Sequence, residues 1–337
     1  MGLTITLIYE NVGIRAILYD GCTAVKSVCM DDGEASACAG RIAESFRKTG
    51  EVETVICPGG CLKPVLAGCY EISAQALEDA AAGSFGRHRY NHLMEICAGA
   101  AEFLSARACF ADAISTDELL PLNRISSHAM VKKCSRGYFA EHRAAMWQLT
   151  SEQQSRPDEK NYIVAYLDDL VSVGVYERGR CLDINDMIGA EGPMGFTSSG
   201  DVPCAQIAAY FEKSDVTYEQ MQEQLLEKSG ILQYLGTDSP QTLDDLATQD
   251  ARAALIAETM AYQAAKWIGS SAVVLRGRVD GILLTGKGVR SDFLTERLLK
   301  RIEGIAPVTV EKDLRLSDYL AGRAELVSGG CDLLRNY

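Results

Sequence analysis

The chain has 337 residues, long enough for two domains, and its 47% apolar and 23% charged content is that of a globular protein. A formal charge of −13 argues against nucleic acid as a partner, since binding a phosphate backbone needs a basic face. No stretch approaches the roughly 18 uninterrupted apolar residues of a membrane span, and the start reads as a strand rather than a secretion signal, so a cytoplasmic location without membrane contact is expected.

Apolar runs broken by turn residues predict the opening elements. Strands are expected over Leu3–Tyr9, Ile14–Tyr19 and Thr23–Met30, with turns at Glu10-Asn11-Val12-Gly13 and Asp20-Gly21. A helix over Ala35–Arg47 leads to a β-rich run, Val52–Ile56, ending in Cys57-Pro58-Gly59-Gly60. A helix over Leu93–Ser105 then precedes a short strand, Ala108–Phe110, and Asp112. The stretch 150–160 is polar, holds Pro157 and reads as a solvated connection.

The pattern then starts again. Strands Tyr162–Leu167, Val171–Tyr176 and Arg180–Ile184 are separated by turns at Asp168-Asp169 and Arg178-Gly179. Helices follow over Tyr218–Lys228 and Ala251–Ile268, the latter with apolar residues spaced on one face. Gly281–Leu284 is β-rich and ends in Thr285-Gly286-Lys287-Gly288. Helix Asp292–Ile305, strand Val308–Val310 and helix Ser317–Val327 complete the chain, with Gly329-Gly330 as a helix stop. A meander followed by strands that alternate with helices, present twice, implies two similar α/β domains with mixed sheets. Ligands favour the interface of such domains.

Two features of composition bear on chemistry. The twelve cysteines include no Cys-x-x-Cys pair, and the closest are Cys57 and Cys61, so they read as reduced, mostly buried thiols rather than zinc ligands. Asp168 and Asp169 sit at a hairpin tip. They are either a turn sequence, which Asp favours, or a metal-bridged or anion-excluding site.

Several segments, in order along the chain, carry a resemblance. They are Gly59-Gly60-Cys61-Leu62-Lys63-Pro64, Tyr70-Glu71-Ile72, Gly86-Arg87-His88-Arg89-Tyr90-Asn91, Asp117-Glu118-Leu119, Asp183-Ile184-Asn185-Asp186, Glu191-Gly192-Pro193, Tyr234-Leu235-Gly236-Thr237 and Leu284-Thr285-Gly286. The chain thereby resembles butyrate kinase and, more distantly, acetate kinase, within the actin-like superfamily. The resemblance implies two actin-like (RNase H-like) domains flanking a central cleft. Domain I would hold residues 1–113 and 318–337, and domain II residues 114–317. It also implies phosphoryl transfer between ATP, with Mg²⁺, and a short-chain carboxylate. That chemistry is mostly positioning and charge neutralisation.

The departures from the family pattern fall where phosphate would be held. The first hairpin lacks the family's hydroxyl-bearing loop, and Arg15 is a stand-in for its lysine. At the second, Asp168 and Asp169 replace glycines that let backbone approach a phosphate. Two carboxylates about 4 Å from a phosphate oxygen would oppose it by roughly 4 kcal/mol per unit-charge pair at an effective dielectric of about 20, unless Mg²⁺ bridged them. The family's histidine position is Ala140, its charge-stabilising arginine position is Ser198, and its later glycine pair is interrupted by Lys287. His142, two residues on, would face another side of its helix.

The resemblance carries over these roles. Asp112 is the catalytic residue if the chain is active. His88, Asn91, Arg124 and Glu191 line a substrate cleft, although His88 and Asn91 also suit structural roles and Arg124 suits a pair with Asp117 or Glu118. Arg15, Asp168, Asp169, Ser198, Thr285, Gly286, Lys287 and Gly288 would mark the nucleotide and phosphate region, with Asp168 and Asp169 as metal ligands. The expected function is that of a butyrate kinase-like protein with impaired catalysis, a pseudokinase or partner subunit. It would form a homodimer or pair with an intact homologue, and bind ATP and Mg²⁺ weakly or not at all. The alternative is an active short-chain carboxylate kinase, or a metal-dependent phosphohydrolase using Asp112, Asp168 and Asp169.

Overall fold

The computed structural model describes residues 2–10 and 13–337, so Asn11 and Val12 of the expected first turn lie outside the described residues. The chain opens with β1 (Leu3–Glu10), β2 (Gly13–Asp20), β3 (Thr23–Asp31), α1 (Ala35–Phe46), β4 (Val52–Pro58), β5 (Cys69–Glu71), α2 (Ala74–Ala82), α3 (Arg89–Leu104), β6 (Arg107–Ala111) and α4 (Phe139–Glu152). It continues with β7 (Asn161–Leu167), β8 (Val171–Glu177), β9 (Arg180–Ile184), α5 (Cys204–Glu212), α6 (Tyr218–Glu227), α7 (Gly230–Leu235), α8 (Pro240–Gln249) and α9 (Ala251–Val274). The last elements are β10 (Gly281–Thr285), α10 (Asp292–Ile302), β11 (Val308–Val310), α11 (Leu316–Ser328) and β12 (Leu334–Arg335).

Contacts divide the chain into two compact units. One holds Met1–Asp117, Tyr138–Ala144 and Arg315–Tyr337; the other holds Glu118–Gly137 and Ala145–Leu314. The division departs from the expected boundaries chiefly at 138–144. The start of α4 joins the first unit because the Tyr138 hydroxyl meets His88 and Glu141 accepts a hydrogen bond from the Tyr90 hydroxyl.

The first sheet runs β12-β5-β6-β4-β1-β2-β3 and the second runs β11-β10-β7-β8-β9. In each, an antiparallel meander is extended by two parallel strands beyond its first strand: β4 and β6 beyond β1, and β10 and β11 beyond β7. The repeat seen in the sequence is thus a repeat of topology.

Local chemistry explains the elements. α1 buries Ala35, Cys38, Ala39, Ile42, Ala43 and Phe46, a three-and-four spacing that forms one stripe. α9 starts where the Asp250 carboxylate accepts the backbone N–H groups of Arg252 and Ala253, and it buries Ala253, Ala257, Ala261 and Ala264, small residues that let a helix approach a sheet closely. The turn between β8 and β9 places Arg178 and Gly179 at φ 49° and 80°, the left-handed pair of a tight hairpin. In the second unit Ile163, Val173, Phe196, Met260 and Leu284 share one core, each such side chain contributing about 1.5–3 kcal/mol. Seven of the twelve cysteines are buried and five are exposed, and all are free thiols.

Asn185 ties this core together. It is fully buried, its side-chain oxygen accepts from Val173 N at 2.6 Å, and its amide donates to the carbonyls of Val171 and Glu191 at 2.9 and 2.7 Å. Asn185→Ala would strand three buried backbone groups. The expected loss is at least about 3 kcal/mol, read as a lower urea midpoint with unchanged slope.

Candidate functional site

In the first unit, Asp112 follows the end of β6, where parallel strands of α/β sheets present their ligand-facing residues. It is 2% exposed and adopts φ 45°, a left-handed conformation that Asp tolerates. Its Oδ1 accepts from Gly68 N at 3.0 Å, and its Oδ2 accepts from the Tyr319 hydroxyl at 2.6 Å. Arg143 Nε lies 3.5 Å from Oδ1. Burial, then the Asp112 charge, pushes the Tyr319 phenol well above its usual range, so it stays a donor. Both carboxylate oxygens are therefore committed. The Arg143 and Tyr319 partnerships were not visible in the sequence; an arginine on a helix with a mostly buried face was the available signal.

The other predicted residues of this unit serve structure. His88 is the N-cap of α3: its Nδ1 accepts from Tyr90 N at 3.2 Å, and its Nε2 is 3.4 Å from the Tyr138 hydroxyl. Burial first, and then Arg89, lowers its pKa to about 3, so the imidazole is neutral. Asn91 accepts from Cys61 N and donates to the carbonyls of Ala80 and Gly86, pinning the loop after β4. A Cβ on Gly60 would fall 2.6 Å from the Asn91 side chain, so this glycine is there for packing. Arg15, the expected cation of the first hairpin, is held in that hairpin by Glu10, at 2.9 and 3.2 Å. Asp318 accepts from the Tyr19 hydroxyl at 2.6 Å.

In the second unit both carboxylates of the Asp168-Asp169 tip, read from sequence as either a turn or a metal-bridged or anion-excluding site, have partners within the unit. Asp168 is 7% exposed; its Oδ1 accepts from Asp169 N at 2.8 Å and its Oδ2 from Lys287 N at 3.2 Å. The Asp169 carboxylate meets Lys287 Nζ at 2.5 Å, and Asp238 lies 3.5 Å from the same ammonium. Lys287 also sits 5.0 Å over the Phe196 ring, a cation–π contact. The two departures, aspartate at the tip and lysine between the glycines, thus neutralise each other. The carbonyls of Asp168 and Asp169 are taken by the backbone N–H groups of Phe196, Thr197 and Ser198, at 3.1, 3.2 and 3.1 Å.

The glycines of this region pack rather than open a cradle. Gly286 has φ 90°, and a Cβ there would lie 2.5 Å from the Leu167 carbonyl oxygen; one on Gly288 would lie 2.8 Å from Leu167 Cβ. Thr285 is buried, and its hydroxyl has no hydrogen-bond partner among the described residues. Ser198 is 4% exposed and enters through its backbone. The metal reading finds no third ligand: among the described residues no three or more His, Cys, Asp or Glu side chains gather around a possible ion.

Arg124 and Glu191 occupy separate places in this unit. Arg124 donates to the Leu119 carbonyl at 3.3 Å, while the Glu118 carboxylate accepts from Cys181 N. Glu191 accepts from Asp186 N at 2.7 Å and lies 3.6 Å from Lys133, which also bonds Asp183 at 3.1 Å. Burial raises the Glu191 pKa, with the Asp186 N–H and Lys133 opposing. Arg136 grips Asp186 through two nitrogens.

Comparisons with known proteins bear on the family and the fold. The acetokinase family model matches residues 136–328. Butyrate kinase 1 of Clostridium acetobutylicum is 30% identical over 268 residues, covering 79% of this chain and 76% of that protein. A probable butyrate kinase of Enterococcus faecalis is 31% identical over 261 residues, covering 77% and 72%. Among solved structures, a propionate kinase from Francisella tularensis gives a TM-score of 0.79 at 12% identity, over 96% of this chain and 99% of that one. Porphyromonas gingivalis acetate kinase gives 0.77 at 14%, over 97% and 99%. At such identity the likeness is one of fold, and it makes the two units actin-like domains.

His88 generates a pH test. Its folded pKa lies below the unfolded value near 6.5, so its contribution is complete above about pH 6.5 and is lost as the pH falls toward 3. His88→Asn keeps a capping acceptor and removes the titration. Its urea midpoint is expected to fall less steeply than the parent's between about pH 6.5 and 3.

Proposed function

The chain belongs to the acetokinase family, and on that premise we propose that it is a carboxylate-kinase relative with impaired phosphoryl transfer, a pseudokinase whose role is that of a partner subunit. The observation that carries this reading is the Asp169–Lys287 pair at 2.5 Å. A tip whose cation is already paired, and whose carbonyls hold the amides of residues 196–198, has little left to offer a phosphate.

The family resemblance implies ATP with Mg²⁺, and this chain's residues fit that group poorly at the tip. Asp168 has both oxygens on backbone N–H groups, and Asp169 faces an ammonium. No step is therefore derived through the metal or the nucleotide. Losing one transition-state charge stabiliser typically costs about 10²–10³ in rate, and here Ala140 and Ser198 replace two such groups of the family pattern.

A second reading is an active butyrate or short-chain carboxylate kinase, converting ATP and butanoate to ADP and butanoyl phosphate. It is favoured by the retention of Asp112 after the end of β6 with Arg143 3.5 Å away. The two readings separate in one assay of the purified chain with Mg²⁺, ATP and butyrate, trapping acyl phosphate as hydroxamate. The expected yield is at least about 10³ below that of an intact relative. Sustained formation that disappears in Asp112→Asn would establish the second reading and remove the first.

The partner role is supported by α5. Seven of its nine residues are apolar and none is buried. A helix this short gains most of its stability from packing, and its only charge is Glu212 at the end. A second copy of a chain with net charge −13 can meet it there without setting like charges against each other. The expected solution state is a dimer, and Phe211→Glu is expected to shift the light-scattering mass to that of a monomer. A monomeric parent would remove the self-association.

A further inference from the structure

A cavity of about 700 Å³ opens at the foot of the second unit, away from the Asp168-Asp169 tip, lined by Asn161, Glu177, Arg178, Gly277, Arg278 and Asp280. Two turns with the same tripeptide border it, Arg178-Gly179-Arg180 between β8 and β9 and Arg276-Gly277-Arg278 between α9 and β10, and of these Arg178, Gly277 and Arg278 line it. Both begin with an arginine in the left-handed region, at φ 49° and 55°, followed by a glycine at 80° and 73°. Arginine in that conformation costs about 1–2 kcal/mol relative to the right-handed form.

The guanidinium groups of Arg178 and Arg278 make no hydrogen bond or ion pair among the described residues, although acids outnumber bases 46 to 33 in the chain. Arg180, by contrast, donates to the Glu118 carbonyl at 3.2 and 3.1 Å. Two partnerless planar forks beside one cavity suit the oxygens of a phosphate. The remaining lining includes Val279 and two acids. Glu177 and Asp280 are carboxylates, and Asp280 Oδ2 already accepts from Asn161 N at 2.8 Å. They repel a bare polyanion but accept hydrogen bonds from hydroxyl groups.

We infer that this cavity binds a small hydroxylated organic phosphate, with Arg178 and Arg278 on the phosphate and Glu177 and Asp280 on the hydroxyls. Such a ligand joins the β8–β9 turn to the α9–β10 connection, two segments far apart in sequence. The site takes no part in the phosphoryl-transfer reading above and stands whether or not the chain is active.

Calorimetry on the full chain tests it, with D-ribose 5-phosphate as the probe and inorganic phosphate and D-ribose as comparisons. Saturable heat is expected with ribose 5-phosphate, at least about tenfold weaker binding with inorganic phosphate, and none with ribose. Arg178→Ala and Arg278→Ala should each weaken the probe about tenfold or more, Arg278→Lys less, and Lys287→Ala not at all. Both arginines are exposed, so these variants should fold as the parent does. Absence of saturable heat with the probe, equal affinity for inorganic phosphate, or binding that survives in the Arg178→Ala/Arg278→Ala double variant would overturn the inference.

Discussion

The ammonium of Lys287 and the carboxylate of Asp169 decide what the second meander tip can be. Without the lysine, two adjacent carboxylates would share a half-buried turn and repel each other. Without Asp169, a cation would stand next to Gly286 and Gly288, able to meet an anion. Together they close the tip on itself, and Phe196 underneath holds the ammonium in place. The surrounding backbone is closed in the same way: the N–H groups of residues 196–198 bond the tip carbonyls, and the glycines pack β10 against the end of β7.

The first unit repeats the theme with different residues. Its hairpin carries Glu10 and Arg15, which pair across the strands at 2.9 Å. Its catalytic candidate, Asp112, is likewise enclosed, between the Gly68 amide, the Tyr319 hydroxyl and Arg143. In both domains, then, the charged groups of these hairpins and of Asp112 are satisfied from within the domain. The same two-domain scaffold can keep its core, its strand order and its helices while the interior chemistry of these positions turns inward.

Much of the fold was legible because it rests on short-range pattern. Both meanders, the parallel strands after them and helices such as Ala251–Ile268, which the structure extends to Val274, follow from apolar runs and turn residues. Other helices were not read. α8 begins with Ser239 capping Thr242 N and Pro240 in its first turn, a start signal in plain sequence, but its apolar spacing is sparse. α5 is apolar at seven of nine positions and fully buries none of them, so no buried stripe marks it. The site was less legible for a physical reason: Lys287 lies 118 residues from Asp169, and Tyr319 lies 207 from Asp112. Only the parallel pairing of β7 with β10 brings the first of these pairs together, and a sequence read in windows sees each charge alone. The resemblance singled out Asp168, Asp169 and Lys287 one at a time. It treated as separate losses what the structure joins into one compensated substitution.

The most direct measurement is a double-mutant cycle on unfolding free energy with Asp169→Ala, Lys287→Ala and the pair together. The two groups are partly buried and joined by a charge-assisted hydrogen bond, so a coupling of about 1 kcal/mol or more is expected at low salt, shrinking as salt is added. A coupling within about 0.3 kcal/mol of zero would contradict the closed tip and leave Lys287 available to a phosphate.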